Sequence, residues 1–373
     1  MLRRIYTLNF LDAFIAGMTT VLLPLLMQSR GIGLAEIGLA FSLAPFVKVM
    51  VRLAGASLAD FAGDRAIYFG NAAANLLQSL CYLFGSSPLW FAAGKLFDGV
   101  RESLIFSVNR ASLMAVAPDR KHFALSSLLS GRFLYNASGG LAVGLLAGGA
   151  GFTMLLSLMA ALSAYMALSS LGMKSAHHAG QQPRLSDFSP LGRSRRFYET
   201  AAALCVGSWI YIAMLYMLLP IYFSQRGFSL PQIGMLYSAY FITIGAVMHA
   251  LSHIRISSRN AALSGAAIFC VALPGIALAG NGFLPYLFVL MAVGDGFLGV
   301  LWEEINYLAV KGSRKRATEL AVLGTPAYLS VFLATALSGF AASSFGYLPL
   351  FALLALSEAA FAAWGLRLAR MKE

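Results

Sequence analysis

Leu23-Pro24, Arg30-Gly31, Leu34, Ile37-Gly38 and Ser42 return 196 positions later as Leu219-Pro220, Arg226-Gly227, Leu230, Ile233-Gly234 and Ser238. Asp98-Gly99 followed by Asn109 recurs as Asp295-Gly296 followed by Asn306, at an offset of 197. Solenoid repeats have periods of about 20 to 50 residues, far shorter than this. One duplication of nearly half an apolar chain implies two parallel, pseudo-symmetric bundles in a membrane.

Composition agrees. Of 373 residues 59% are hydrophobic and 11% charged, and the mean hydropathy is +0.75, too apolar to cover an aqueous surface. A bilayer core about 30 Å thick takes roughly 20 apolar residues per helix. Windows of that size fall near 5–28, 36–58, 66–85, 88–117, 122–148, 151–172, 198–223, 231–252, 260–280, 283–311, 318–342 and 346–370. The runs lack the alternation of barrel strands, so the expected fold class is an all-α membrane protein of about twelve transmembrane helices in two six-helix bundles. The boundaries read as a bundle over 1–172, a linker over 173–197 and a second bundle over 198–373. The first span is too long for a signal-peptide core and lacks a small-residue cleavage site, so Met1 is expected to stay.

The formal charge is +12. Arg3, Arg4, Arg120, Lys121, Arg193, Arg195, Arg196, Lys311, Arg314, Lys315, Arg316, Arg367 and Arg370 fall on one side of a twelve-span arrangement, and only Arg30 and Arg226 on the other. The positive-inside rule then makes both termini and the linker cytoplasmic, in the inner, cytoplasmic membrane. Basic residues scattered over short loops form no stripe for nucleic acid, which is excluded as a partner. Cys81, Cys205 and Cys270 lie singly inside spans, and His177-His178 stands in the linker without further ligands, so neither metal nor cofactor is expected. HExxH, GxSxG and Walker patterns are absent, which argues against an enzyme.

Ions inside spans are costly, at roughly 2.5 to 3.5 kcal/mol each on insertion scales, unless they face protein or water. Span 4 holds Lys95, Asp98, Arg101, Glu102 and Arg110, span 10 holds Asp295, Glu303 and Glu304, and span 1 adds Asp12. Lys95, Asp98, Glu102 and Asn109 fall on one helical stripe, as do Asp295, Gly299, Trp302, Glu303 and Asn306. Internal pairs such as Lys95 with Asp98, or Asp98 with Arg101, are the alternative to a functional role. Glu303 and Glu304 lack a basic neighbour within a turn on their N-terminal side, so one of them is a candidate proton carrier.

Three stretches carry a resemblance to the major facilitator superfamily, which covers essentially the whole chain. Ala56-Ser57-Leu58-Ala59-Asp60-Phe61-Ala62-Gly63-Asp64-Arg65 is similar to the family's G-x-L-A-D-R-x-G-R-R, departing at Ala56, Phe61 and Asp64. Lys95-x-x-Asp98-Gly99 is similar to R-x-x-Q-G with both polar positions altered. Gly131, Gly140, Gly144, Gly148 and Gly149 fit G-x8-G-x3-G-P-x-x-G-G, with Leu145 in place of proline. The last series is one the family associates with antiporters. The resemblance implies spans 1, 4, 7 and 10 around a central cavity, mostly the spans that hold the ions.

The expected function is secondary active transport of a small organic solute by alternating access, as proton-coupled antiport in the direction of efflux. Uptake of a sugar, organic anion or metal chelate by proton symport is the alternative, and a non-transporting scaffold or receptor the third. Expected solute contacts are Asp98, Arg101, Glu102, Asn109, Arg132, Trp209, Asp295, Trp302 and Asn306. Proton coupling is expected from Asp12, Glu102, Glu303 or Glu304, and gating from Asp60, Gly63, Arg65, Gly140, Gly144 and Gly148. Expected partners are the solute, protons or another coupling ion, and membrane lipids, around a monomer.

Overall fold

The computed structural model describes the backbone of residues 2–116, 121–173, 189, 191–254, 256–311 and 316–371, and their side chains except at 2, 52–62, 106–116, 121–130, 148, 150, 252 and 316–317. Among these residues regular structure is helical throughout. The helices are α1 (Leu2–Ser29), α2 (Leu34–Phe84), α3 (Pro88–Val116), α4 (Lys121–Leu171), α5 (Arg195–Ser208), α6 (Tyr211–Ala213), α7 (Leu219–Gln225), α8 (Leu230–Ile254), α9 (Ser258–Leu278), α10 (Leu284–Val310), α11 (Arg316–Phe345) and α12 (Leu348–Arg370).

Two of these are pairs of crossings. At about 1.5 Å per residue, the 51 residues of α2 or α4 exceed twice the hydrocarbon thickness. Each breaks at a glycine in the left-handed half of backbone space, Gly63 (φ 73°) and Gly151 (φ 64°). Conversely, α5, α6, the π-helical segment Met214–Leu218 and α7 form one interrupted crossing. Twelve crossings result, and the chain's two ends lie on one side, called here the terminal side; the other is the distal side. Nine helical stretches among the described residues are apolar and long enough to span a membrane. Pro88–Val116 is outside that set because of its ions. Leu168, Val271, Leu337 and Leu356 are among the large apolar side chains left exposed on the outer surface, as a lipid-facing surface requires.

Helices α1 to α4 pack on one another, as do α5 to α12, giving two bundles of six crossings. The bundles meet mainly where α2 crosses α11 and α4 crosses α8. Both crossings are built on glycine. A Cβ on Gly38 would come within 2.9 Å of the Thr335 carbonyl oxygen, and one on Gly234 within 2.5 Å of the Gly144 amide nitrogen. Gly38 and Gly234 are the two copies of one position in the duplicated stretch. The Ser238 hydroxyl fastens the second crossing by donating to the Ala137 carbonyl at 2.9 Å.

The same stretch supplies its turns. At Gly31 (φ 75°) and Gly227 (φ 86°) the chain leaves one helix for the next, with Ile32 N–H donating to Met27 O and Phe228 N–H to Phe223 O. That is one Schellman-type closure used twice.

Candidate functional site: charge clusters between and within the halves

Asp12, in the middle of α1, is fully buried. Its Oδ1 accepts from Arg101 Nη1 at 2.8 Å, Asn75 Nδ2 at 3.1 Å and Asn71 Nδ2 at 3.2 Å, while Oδ2 accepts from Arg132 Nη2 at 3.0 Å. One turn of α3 adds Asp98, which accepts from Lys95 Nζ at 2.5 Å and from Arg101 Nη2 at 2.7 Å. Arg101 Nη2 also lies 3.3 Å from Glu102, and Glu102 pairs with Lys48 of α2. Lys95 and Arg101 therefore occupy the i−3 and i+3 positions of Asp98, so one helical stripe becomes a chain of alternating charge. Arg132 Nη1 extends it to Asn9 at 3.2 Å. Helices α1 to α4 are joined through their side chains by this network.

The network has a dry side and a wetter edge. Arg101 is 2% exposed and Asp98 5%, whereas the side chains of Glu102, Arg132 and Lys48 are 36%, 23% and 20% exposed. Asp98 and Arg101 thus form the internal pair that the sequence allows as an alternative, and Glu102, Arg132 and Lys48 are the ions turned toward the other half. Lys48 Nζ lies 5.6 Å from the centre of the Tyr328 ring of α11, and the Phe46 and Phe332 rings stand 5.4 Å apart across the same crossing.

In the second half, Asp295 on α10 occupies the repeat position of Asp98, but its partners are phenols. Tyr211 and Tyr240 both donate to Oδ2, the latter at 3.1 Å, and no ion pair to Asp295 is formed among the described residues. Tyr211 sits just before the π-helical segment. Pro220 explains that segment locally: it has no N–H to offer the Tyr216 carbonyl, and Leu219 N–H donates back to Met214 O in the π register instead. The Tyr237 hydroxyl takes up the neighbouring Leu215 carbonyl at 2.6 Å. The widened turn carries Tyr216, which lies within electrostatic reach of Glu102 and Arg132 in one half and Asp295 in the other.

The remaining expected residues are placed elsewhere. Trp209 Nε1 donates to Ser357 Oγ on α12 at 2.8 Å, inside the second half. Trp302 faces Phe361 at 5.7 Å, and Asn306 donates to the Trp302 carbonyl at 2.9 Å. Glu304 accepts from Ser258 Oγ at 2.9 Å, which ties it to α9, while Glu303 is exposed toward the terminal end of α10. Arg65 is exposed. Gly140 and Gly144 lie against α8, in the opposite half from their own helix. The side chains of Asp60 and Asn109 lie outside the described residues, and of Gly148 only the helical backbone is described.

Participants that the sequence reading does not single out include Lys48, Glu358, Asn71 and Asn75, besides Tyr240 and Asn9. Glu358 is an isolated ion in the apolar run of span 12, and Lys48 stands one turn before Arg52 in span 2, signals that are present in the sequence. Asn71 and Asn75 were visible as a polar i, i+4 pair in a span without ions. Glu358 is buried, within electrostatic reach of Asp295.

A family profile described as Major Facilitator Superfamily matches residues 5–314. Among solved structures, a mutant form of the nucleoside transporter NupG superposes with a TM-score of 0.81 at 14% identity, covering 98% of this chain and 99% of that one. Another structure of NupG superposes with a TM-score of 0.78 at 13% identity, covering 100% and 99%. None of the curated proteins matches the chain in sequence. Identities this low show a shared fold.

Proposed function

We propose, for a chain that belongs to the major facilitator superfamily and is thus a multi-pass secondary transporter and not an enzyme, that it exports a small organic solute by alternating access in exchange for protons. The observation that carries this reading is the divergence of the duplicated aspartate. Asp98 is locked by Lys95 and Arg101, whereas Asp295 has two tyrosine hydroxyls. A carboxyl held only by hydroxyls can gain and lose a proton without stranding a buried cation, so Asp295 is the coupling group, with Glu358 in its field. Asp98, Arg101 and Asp12 position Glu102 and Arg132. These two, with Lys48 and Tyr216, bind the solute between the halves.

Antiport follows if solute and proton compete for the central site. Protons entering down their gradient displace the solute, and the empty carrier returns only when Asp295 is loaded. In this reading the termini are cytoplasmic and the carrier sits in the inner membrane, which the concentration of basic residues on the terminal side supports. Uptake of an organic anion is a second reading, because Lys48, Lys95, Arg101 and Arg132 outnumber Asp12, Asp98 and Glu102 by one within the described network.

Purified protein in sealed vesicles tests both. With an imposed pH gradient, uphill movement of a solute against the proton flow is expected, and it should vanish with a protonophore. Asp295→Asn should keep solute–solute exchange and lose the uphill component. Movement of solute with the protons selects symport, flux indifferent to the gradient removes proton coupling, and no flux over a broad solute panel favours a scaffold.

A further inference from the structure

The second crossing of α2 carries polar groups that neither the ion network nor the transport reading uses up. Asn71, Asn75, Gln78 and Tyr82 are spaced by four, three and four residues, which places them on one face over about 16 Å of helix. All four are fully buried. Asn71 and Asn75 spend Nδ2 on Asp12, yet the Oδ1 atom of each accepts nothing. Both amide atoms of Gln78 and the hydroxyl of Tyr82 are likewise without a hydrogen bond. The Gln78 amide and the Tyr82 hydroxyl approach each other without a bond of acceptable geometry between them. At its far end the stripe returns to the ions, because Tyr82 is within electrostatic reach of Asp98 and Arg101.

We propose that this face binds a file of water molecules inside the first half, enclosed by α1, the second crossing of α2, and α3. Buried polar atoms in folded proteins find partners, and where the protein supplies none an ordered water with about three hydrogen bonds does so. The orphan set selects water over the obvious rival, a sodium ion. Three of its atoms, on Asn71, Asn75 and Gln78, are carbonyl acceptors that a cation would suit. The Gln78 amide nitrogen and the Tyr82 hydroxyl are donors whose hydrogens a cation would leave unpaired, and the Arg101 guanidinium lies within electrostatic reach of Tyr82. Flipping the asparagine amides does not rescue the stripe, since it would turn Oδ1 toward the Asp12 carboxylate. Water that both donates and accepts satisfies all five atoms. It also lets Asp12, Asp98 and Arg101 change partners when α1 and α3 move, by taking up whichever bond a helix gives up.

Radiolytic hydroxyl-radical labelling of the whole protein in nanodiscs, read by mass spectrometry, tests this without reference to transport. Tyr82 and Tyr237 are equally buried, but the Tyr237 hydroxyl is satisfied by Leu215 O, so it is the internal control. Bound water generates radicals in place. Tyr82 is therefore expected to label severalfold faster than Tyr237, and Gln78→Leu to slow it toward the control. Equal rates in the unsubstituted protein overturn the proposal whatever the variant does. So does labelling of Tyr82 that Gln78→Leu leaves unchanged, or protection that appears in sodium and disappears in choline, which would make the occupant a cation.

Discussion

Asp12 and Asp295 are both acids in the middle of apolar helices, and they should respond oppositely to the same substitution. Asp12 neutralises Arg101 and Arg132, so Asp12→Asn leaves two guanidinium groups facing an amide. Removing one partner of a buried pair typically costs about 3 to 5 kcal/mol. Thermal unfolding of the purified protein should show a clear drop in Tm, and adding Arg101→Gln should recover part of it; a Tm unchanged in Asp12→Asn would refute the buried-pair account. At Asp295 the amide oxygen of an asparagine still accepts from Tyr211 and Tyr240. Stability there should change by no more than about 1 kcal/mol, while the uphill component of transport is lost. Ions of this kind were legible in the sequence because a carboxylate or guanidinium in a leucine-rich run has to be accommodated somewhere. Their pairing was not. Arg101 and Asp12 are 89 positions apart, and nothing in either span names the other as its partner.

Helices α4 and α8 illustrate what spacing does and does not convey. Gly140, Gly144 and Gly148, spaced by four, put small residues on one face of α4, but a face does not identify what approaches it. The structure brings Gly140 and Gly144 to Gly234 and Ser238, and Gly234 belongs to the duplicated stretch on which the fold was read. The π-helical segment was invisible for a related reason: Pro220 announces a missing donor, while the register that absorbs it depends on Tyr237 from another helix. A side chain at Gly234 would meet the backbone of α4, which cannot rotate away. Gly234→Val should therefore abolish transport while the protein still inserts and purifies. Gly149→Ala is the matched control, because nothing lies within 4 Å of its added Cβ, and full activity is expected. An active Gly234→Val protein would mean that this crossing can loosen without consequence.

The two halves touch through crossings related by the internal duplication, α2 on α11 and α4 on α8, and the glycines at both sit toward the distal ends of their helices. The Gly38 contact lies one turn into α2, and Gly234 one turn into α8. The proposed alternating access would have these paired contacts open together, since rocking one bundle on the other separates both at once. The Phe46–Phe332 and Lys48–Tyr328 contacts lie deeper along the first crossing, between the glycine contact and the ion network, so they should part in the same movement. With Cys81, Cys205 and Cys270 replaced by serine or alanine, cysteines at positions 46 and 332 offer a direct test. A short bifunctional, reducible thiol linker between them should stop flux, and reduction should restore it. Each single-cysteine protein, treated alike, controls for the label itself. Continued flux with the linker in place would show that the halves need not separate along α2 and α11, and the rocking movement would have to be replaced by one confined to the widened turn around Tyr216.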